Sequence, residues 1–360
     1  MRSQDRFCGC LIGGAAGDAL GYAVEFLREP SIYRLYGSSG ITEYALSKGT
    51  ALFSDDTQMT LFTATGLLRC ATLAKLQGTA EDYAGHINRS YLDWLKTQEN
   101  RYPALGGPHA SWLLNVPELF SPRAPGNTCL AALYAGGGGT PEKPLNDSKG
   151  CGGVMRVAPV GLYFTDRPQD IRDVCRVGAE AAALTHGHPL GWIPAAMLAG
   201  MIHEISQNGT EIAEAALQAL DVTAGMWANV PDMRSFAKLI HKAVDLAAGD
   251  TEDLPAIHQL GEGWVGDEAL AIAVYCAIRH SGDLGKTLIA AVNHNGDSDS
   301  TGAVAGNIVG AQVGLSGIPA KYTENLELRD LIIGIADDLW TGFSDDPVWN
   351  SKYADAAYAR

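Results

Sequence analysis

Two adjacent aspartates, Asp55 and Asp56, lie between hydroxyl side chains in the stretch FSDDTQ at residues 53–58, and NHNGDSDST at 293–301 carries two more. One aspartate is a common cap at a helix N-terminus, where free N–H groups and the helix dipole stabilise it. Crowded carboxylates repel each other unless a cation neutralises them, and hard divalent ions bind several oxygen ligands. Capping is the favoured interpretation of either stretch alone, and a metal site is favoured if the two meet in space.

A third acidic group accompanies a glycine pattern. Asp18 and Glu25 lie on and just beyond a segment with glycine at every fourth position, 9, 13, 17 and 21, and the same spacing recurs at 302, 306, 310 and 314. On a helix this spacing forms a ridge without side chains, which allows close approach of another backbone although each glycine costs on the order of 1 kcal/mol relative to alanine. We therefore expect two tightly packed helices near the core.

The elements that must position these groups are helical. Apolar residues at three- and four-residue spacing predict helices at 8–22, 57–77, 80–98, 170–185, 190–206, 210–228, 232–247, 266–280, 284–293 and 301–314. The helix at 190–206 is apolar on nearly all sides, so we expect it at the centre. The stretch 102–150 is rich in Gly and Pro and predicts long irregular segments with one short helix near 127–135.

Composition restricts the classes of function. Apolar residues make up 46% of the 360 and charged ones 19%, which is typical of a compact protein. The net charge of −15 and the lack of a basic patch disfavour nucleic acid and anionic lipid as partners. Seven scattered cysteines with no C-x-x-C pair fit reduced thiols, so we expect a cytoplasmic protein, and neither a membrane span nor a secretion signal is indicated.

Seven segments together resemble the ADP-ribosylglycohydrolase family, which includes dinitrogenase reductase-activating glycohydrolase and the ADP-ribosylarginine hydrolases. The resemblance runs in order from about residue 5 to residue 340, within one domain that we expect to span 1–360. The segments are GCLIGGAAGDALGYAVEF, FSDDTQMTLFTATGLL, GNTC, SKGCGGVMRVAPVGL, THGHP, GEGWVGDEALAIAVY and AVNHNGDSDSTGAVAGNIVGAQVG.

This resemblance implies an all-α fold, a single compact orthogonal helical domain with a cleft that holds two Mg²⁺ or Mn²⁺ ions. The metal ligands that it implies are Ser54, Asp55, Asp56, Asp297, Asp299 and Ser300. The family glutamate that ends the first glycine-rich motif falls on Glu25, as a ligand or a gate to the cleft. A two-metal site clamps water and substrate oxygens, so we expect Asp55 or Asp56 to accept the proton of the attacking water.

The implied function is hydrolysis of the N-glycosidic bond between ADP-ribose and a protein arginine, with an ADP-ribosylated protein as substrate and a monomer as the expected state. Serine at position 300, after the second aspartate of GDSDST, resembles the arginine-linkage enzymes more than the serine-linkage one. Two alternatives remain open. One is hydrolysis of O-linked ADP-ribose, from serine or a small metabolite. The other is an inactive ADP-ribose-binding or structural member of the family.

Other motifs suggest substrate contacts. The loops with Gly126, Asn127 and Thr128, and with Gly152 and Gly153, can present backbone N–H groups to a diphosphate, although ordinary turns fit equally well. His188 is a candidate neighbour of the phosphates. The aromatic candidates for stacking on adenine are Tyr22, Tyr102 and Trp112. Cys151 lacks an assigned base, so a nucleophilic role is disfavoured.

Overall fold

The computed structural model describes residues 3–103, 109–163 and 170–354. Within these ranges the chain forms α-helices, short 3₁₀ turns and a π-helical turn at Glu204–Asn208, and its only extended pairings are isolated bridges, so the predicted all-α fold is confirmed. The helices are α1 Gln4–Tyr22, α2 Glu29–Tyr36, α3 Asp55–Gln77, α4 Tyr83–Glu99, α5 Asn127–Tyr134, α6 Ala158–Tyr163, α7 Ile171–Ala183, α8 Pro189–His203, α9 Ile212–Met226, α10 Met233–Ala248, α11 Asp253–Ile257, α12 Gly266–Arg279, α13 Leu284–Val292, α14 Ser298–Val313, α15 Arg329–Thr341 and α16 Pro347–Tyr353.

Each predicted helix has an observed counterpart, with ends that differ by up to four residues. The short helix predicted near 127–135 is α5. The sequence analysis missed α2, α6, α11, α15 and α16. Helices α6 and α11 are only about a turn and a half long, which leaves little periodicity to detect. Helix α15 does carry a buried apolar stripe, formed by Ile332, Ile335, Ala336 and Leu339.

The two glycine-ridge helices, α1 and α14, make the most extensive helix–helix contact among the described residues. A Cβ atom built on Gly9, Gly13 or Gly17 would overlap the backbone of Gly310, Gly306 or Gly302, respectively. The order of these contacts shows that the helices run antiparallel with their backbones touching. The close packing expected from the glycine spacing is thus confirmed, and the C-terminal end of α1 lies beside the N-terminal end of α14.

Helix α8 is central, as its composition predicted, because every residue from Leu190 to His203 is buried. It packs against α6, α7, α9 and α12. Between α4 and the end of residue 150, the described residues form only 3₁₀ turns, α5 and irregular loops, which agrees with the Gly/Pro-rich composition. No helix within the described ranges has the length and apolarity to span a bilayer.

Candidate active site

A cavity of about 410 Å³ opens where α1, α3, α5 and α14 end or begin. Its lining combines five carboxylates with three glycines, two aromatic rings and two thiols. The lining residues are Glu25, Phe26, Asp55, Asp56, Ala124, Pro125, Gly126, Asn127, Thr128, Cys129, Gly150, Cys151, Gly152, Met155, His186, Trp264, Asp297, Asp299 and Ser300. The two acidic stretches of the sequence therefore meet in one place, which is the condition under which a metal site is favoured over simple capping.

Three of the carboxylates form a tight group. One oxygen each from Glu25, Asp297 and Asp299 lies within 4.8 Å of the other two, and all three residues are buried. The antiparallel helix pair brings them together, since a Cβ on Gly21 would overlap the carbonyl of Ser298 at the start of α14. Glu25 follows the end of α1 by three residues and so reaches the N-terminus of α14, where Asp297 is the N-cap.

The aspartate pair at the start of α3 completes the acidic lining. Asp55 Oδ2 accepts a hydrogen bond from the Gly126 N–H at 3.1 Å, which fixes its orientation. Asp56 Oδ2 and Glu25 Oε2 are buried and have no hydrogen-bond partner in the described protein. A buried charged oxygen without a partner is costly, so these two atoms call for a proton or a cation.

Asp18 positions the aspartate pair by binding the start of α3. Its carboxylate accepts hydrogen bonds from the Ser54 N–H at 2.8 Å, from the Thr57 N–H at 2.9 Å and from the Thr57 hydroxyl at 2.5 Å. The free N–H groups at the start of α3 are thus satisfied by a side chain of α1. The sequence analysis noted Asp18 as acidic but did not assign it this role, because the contact spans distant parts of the chain.

Burial and mutual repulsion disfavour the ionised carboxylates. Burial, together with Asp299 and Asp297, raises the pKa of Glu25 to about 10. Burial raises the pKa of Asp55, Asp56 and Asp297 well above the usual range, and the nearby acids of the cluster add to the effect. Such a cluster either holds protons or binds cations. Divalent ions with a preference for oxygen ligands fit this lining, because it supplies several carboxylate oxygens.

The two predicted serine ligands are placed differently. Ser300 lines the cavity, and its N–H donates to Asp297 Oδ1 at 3.3 Å and to Asp299 Oδ1 at 3.0 Å. Ser54 is buried just outside the lining, where its hydroxyl oxygen accepts a hydrogen bond from the Asp56 N–H at 3.2 Å. Its described contact is that of the N-cap of α3.

Only some of the residues predicted to contact the substrate line the cavity. Gly126, Asn127 and Thr128 line the cavity, although the Gly126 N–H already donates to Asp55. Gly152 lines it as well, whereas Gly153 packs against α8, since a Cβ there would overlap the carbonyl of Gly191. A backbone site for phosphate in this cavity is therefore restricted to the remaining N–H groups of the two loops.

The histidine in the cavity is His186, not His188. His188 caps α8 by accepting a hydrogen bond from the Leu190 N–H at 3.0 Å, and it lies outside the lining. Burial lowers the pKa of His186 to about 3, with a contribution from the Arg156 charge, so its ring is neutral. The sequence prediction named only His188 of THGHP as a phosphate neighbour, and the fold instead brings His186 into the cavity lining.

Cys151 is a hydrogen-bond donor in this site. Its thiol donates to Asp297 Oδ2 at 2.7 Å. Burial and the charge of Asp297 raise the pKa of Cys151 well above the usual range, so the thiol stays protonated. Because a nucleophilic cysteine needs a thiolate, this environment agrees with the expectation that Cys151 is not the nucleophile.

The aromatic rings at the cavity are not the expected ones. Tyr22, Tyr102 and Trp112 lie outside the lining; Tyr102 packs edge-on against Phe120, with ring centroids 5.3 Å apart. Phe26 and Trp264 line the cavity instead. Both lie within segments that carry the family resemblance, but their exposure at the cavity depends on the tertiary fold.

Comparison with known proteins agrees with this architecture. The sequence profile described as ADP-ribosylglycohydrolase matches residues 1–347. Among solved structures, one titled ADP-ribosylglycohydrolase-related protein complex superposes with a TM-score of 0.62 at 23% identity, covering 94% of this chain and 98% of the other.

Characterised sequences match over most of their length. ADP-ribosylhydrolase ARH3 of Danio rerio is 26% identical, over 93% of this chain and 88% of the relative. ADP-ribosyl-[dinitrogen reductase] glycohydrolase of Rhodospirillum rubrum is 25% identical, over 91% and 92%. ADP-ribosylhydrolase ARH1 of Dictyostelium discoideum is 24% identical, over 90% and 91%. The family profile covers nearly the whole sequence, and the chain therefore belongs to the ADP-ribosylglycohydrolase family, whose activity is hydrolytic.

Proposed function

We propose that this protein is a metal-dependent hydrolase that removes ADP-ribose from arginine side chains of modified proteins. The observation that carries the proposal is the convergence of five buried carboxylates on one cavity, with two oxygens, Glu25 Oε2 and Asp56 Oδ2, lacking any partner in the described protein. An inactive binding or structural protein has no chemical need for such crowding, since unpaired buried charge is destabilising.

The residues present fit two Mg²⁺ or Mn²⁺ ions. Glu25, Asp297 and Asp299 would hold one side of such a centre, and Asp55 and Asp56 the other, because these groups line one cavity and supply only oxygen ligands. When bound, the ions would lower the pKa of a water molecule and orient ribose hydroxyls. Ser300 lies on the same lining and offers a further oxygen.

The chain's own groups would then perform the proton transfer. Asp55 is held by the Gly126 N–H, whereas Asp56 keeps one oxygen without a partner and can accept the proton of the attacking water. Positive charge develops on the ribose as the glycosidic bond breaks, and the surrounding carboxylates stabilise it. Asp18 acts indirectly, by fixing the start of α3 that carries both aspartates.

The charge of the cavity supports arginine as the acceptor. Its described lining contains five carboxylates and no Lys or Arg side chain. Two divalent ions would supply four positive charges, so the ionised lining stays net negative. A guanidinium group is cationic and gains from that field, whereas a serine oxygen is neutral and gains nothing. Hydrolysis of O-linked ADP-ribose is the second candidate. The ARH3, ARH1 and dinitrogen reductase glycohydrolase relatives all match at 24–26% identity, so sequence identity does not select one linkage.

The test is release of ADP-ribose from an arginine-modified protein and, in parallel, a serine-modified protein. We expect release from the arginine substrate with Mg²⁺ or Mn²⁺, and loss of activity with chelator or in Asp56→Asn. The matched control is Asp346→Asn, which replaces the exposed cap of α16 with another good cap and leaves the cavity intact. Release from serine alone would replace the proposed linkage, and release unaffected by chelator would remove the metal from the mechanism.

We further propose that the protein acts in the cytoplasm. All seven cysteines are free thiols, which is typical of a reducing compartment. The monomeric state remains a prediction, for which sedimentation of the purified protein is the direct test.

A further inference from the structure

Two aromatic side chains are exposed at the mouth of the cavity. The exposed fraction is 73% for Phe26 and 42% for Trp264. Their rings are nearly parallel, with centroids 6.4 Å apart and planes inclined by 22°. Large apolar side chains this exposed are not explained by packing of the core, and both belong to the lining of the acidic cavity.

The ring pair lies beside the acids that surround the reacting centre. Phe26 directly follows Glu25 in the chain. The Trp264 carbonyl accepts a hydrogen bond from the Cys151 N–H at 3.2 Å, and the Cys151 thiol donates to Asp297. Phe26 is therefore linked directly to Glu25, and Trp264 is linked to Asp297 through Cys151.

Position identifies which part of the substrate passes the rings. The scissile bond joins the ribose to a side chain of another protein, and that protein must remain outside a cavity of about 410 Å³. Its side chain must then cross the exposed rim next to the acids. The adenine base is separated from the scissile bond by the ribose, the diphosphate and a second ribose, so the acceptor side chain is bonded much closer to the reacting centre than the adenine is.

The spacing of the rings suits a planar group. Two successive van der Waals contacts of roughly 3.5 Å each would separate the rings by about 7 Å. The ring centroids are 6.4 Å apart, so insertion of such a group requires Phe26, the more exposed ring, to move outward. A guanidinium is planar and cationic, and it is attracted to the faces of aromatic rings.

We propose that Phe26 and Trp264 form an aromatic clamp that holds the guanidinium of an ADP-ribosylated arginine. This inference rests on the proposed function. In it, the ring pair determines which protein side chain is accepted as the carrier of ADP-ribose. The rings supply cation–π contacts on both faces, and the net negative lining adds attraction for the same charge.

The test compares two constants in the Mn²⁺-loaded protein. One is the KM for an arginine-modified protein, and the other is the Kd of free ADP-ribose, which lacks the acceptor. We expect Phe26→Leu and Trp264→Leu to raise this KM about tenfold each and to change the Kd of ADP-ribose less than about twofold. Phe26→Tyr and Trp264→Phe keep the rings and should keep the KM near that of the wild type.

Two controls separate the clamp from general damage. Tyr134→Leu removes an exposed ring outside the lining and should leave both constants unchanged. The affinity for Mn²⁺ should be the same in all variants, which checks that Glu25 has not moved with Phe26. Free arginine should inhibit the wild type more strongly than its neutral isostere citrulline, and the Leu variants should lose this difference.

Three results would overturn the clamp. A Kd for ADP-ribose that rises as much as the KM would assign the rings to the nucleotide. An unchanged KM, with release from arginine intact in the wild type, would refute the clamp while leaving the proposed function in place. No release from an arginine-modified protein by the wild type would refute the proposed function, and the clamp with it.

Discussion

Adding one methyl group between α1 and α14 is the sharpest test of how this fold positions its acids. In Gly13→Ala the new Cβ would overlap the carbonyl oxygen of Gly306 and lie 3.1 Å from the Cα of Gly310. Both neighbours are backbone, so neither can rotate away, and the helices must move apart. The matched control is Gly334→Ala in α15, where nothing lies within 4 Å of the new Cβ.

The two substitutions should change stability in opposite directions. Alanine is intrinsically better than glycine in a helix by up to about 1 kcal/mol, and Gly334→Ala should gain part of this. At Gly13 the same gain is opposed by overpacking, which typically costs about 1–3 kcal/mol and more where backbone cannot yield. We therefore expect Gly13→Ala to lower the free energy of unfolding by about 2 kcal/mol, measured by urea denaturation with chelator present.

The same change should reach the acidic group of Glu25, Asp297 and Asp299. Separation of α1 from α14 would move Glu25 away from Asp297 and Asp299, whose oxygens now lie within 4.8 Å of one another. A displacement of about 1 Å can reduce catalysis roughly a hundredfold, and we expect the affinity for Mn²⁺, measured by calorimetry, to fall by at least about tenfold. If Gly13→Ala were as stable as Gly334→Ala and bound Mn²⁺ like the wild type, the packing argument would be refuted.

Three further predictions follow from the site. Without metal, burial and neighbouring acids raise the pKa of Asp18 to about 7 and of Glu25 to about 10. These two groups stabilise the folded protein below their unfolded pKa of about 4, and this stabilisation is lost as the pH rises through their pKa values in the folded protein. The difference in Tm between the Mn²⁺-loaded and chelated protein should therefore grow from pH 5 to pH 8, and a constant difference would contradict the repulsion. In Asp18→Asn an amide N–H donor replaces one carboxylate oxygen and faces the Ser54 or Thr57 N–H, which should lower the free energy of unfolding by about 1–3 kcal/mol. Urea denaturation would measure this loss. Asp18→Glu should not restore the stability, because its longer side chain moves the carboxylate. Cys151→Ala should keep kcat/KM within about tenfold, because its thiol is a protonated donor to Asp297; complete loss would revive a nucleophilic role.

The sequence predicted those features that depend on periodicity. Glycine at every fourth position predicted the close pair α1 and α14 because only a ridge without Cβ atoms allows two backbones to touch. Apolar spacing predicted the helices around the site. The crowding of Asp55, Asp56, Asp297 and Asp299 favoured a cation site only if the two stretches meet, and the structure brings these aspartates to one cavity.

The features that the sequence could not predict depend on the direction and exposure of individual side chains. His186 and His188 are two residues apart, yet one ring lines the cavity and the other caps α8. Trp112 and Trp264 are the same residue type, but the first packs against the core and the second is exposed at the cavity mouth. These differences come from the tertiary arrangement of loops, for which local spacing carries no information.

The architecture also explains how the acids are held close to one another. Each acidic group is attached to a helix terminus whose neighbours are held by other parts of the fold: Asp18 ties the start of α3 to α1, and the ridge ties α1 to α14. Repulsion among the carboxylates therefore acts against the packing of whole helices, not against flexible loops. The positions of the acids are set by this helix packing, so a substitution that separates α1 from α14 should also separate Glu25 from Asp297 and Asp299.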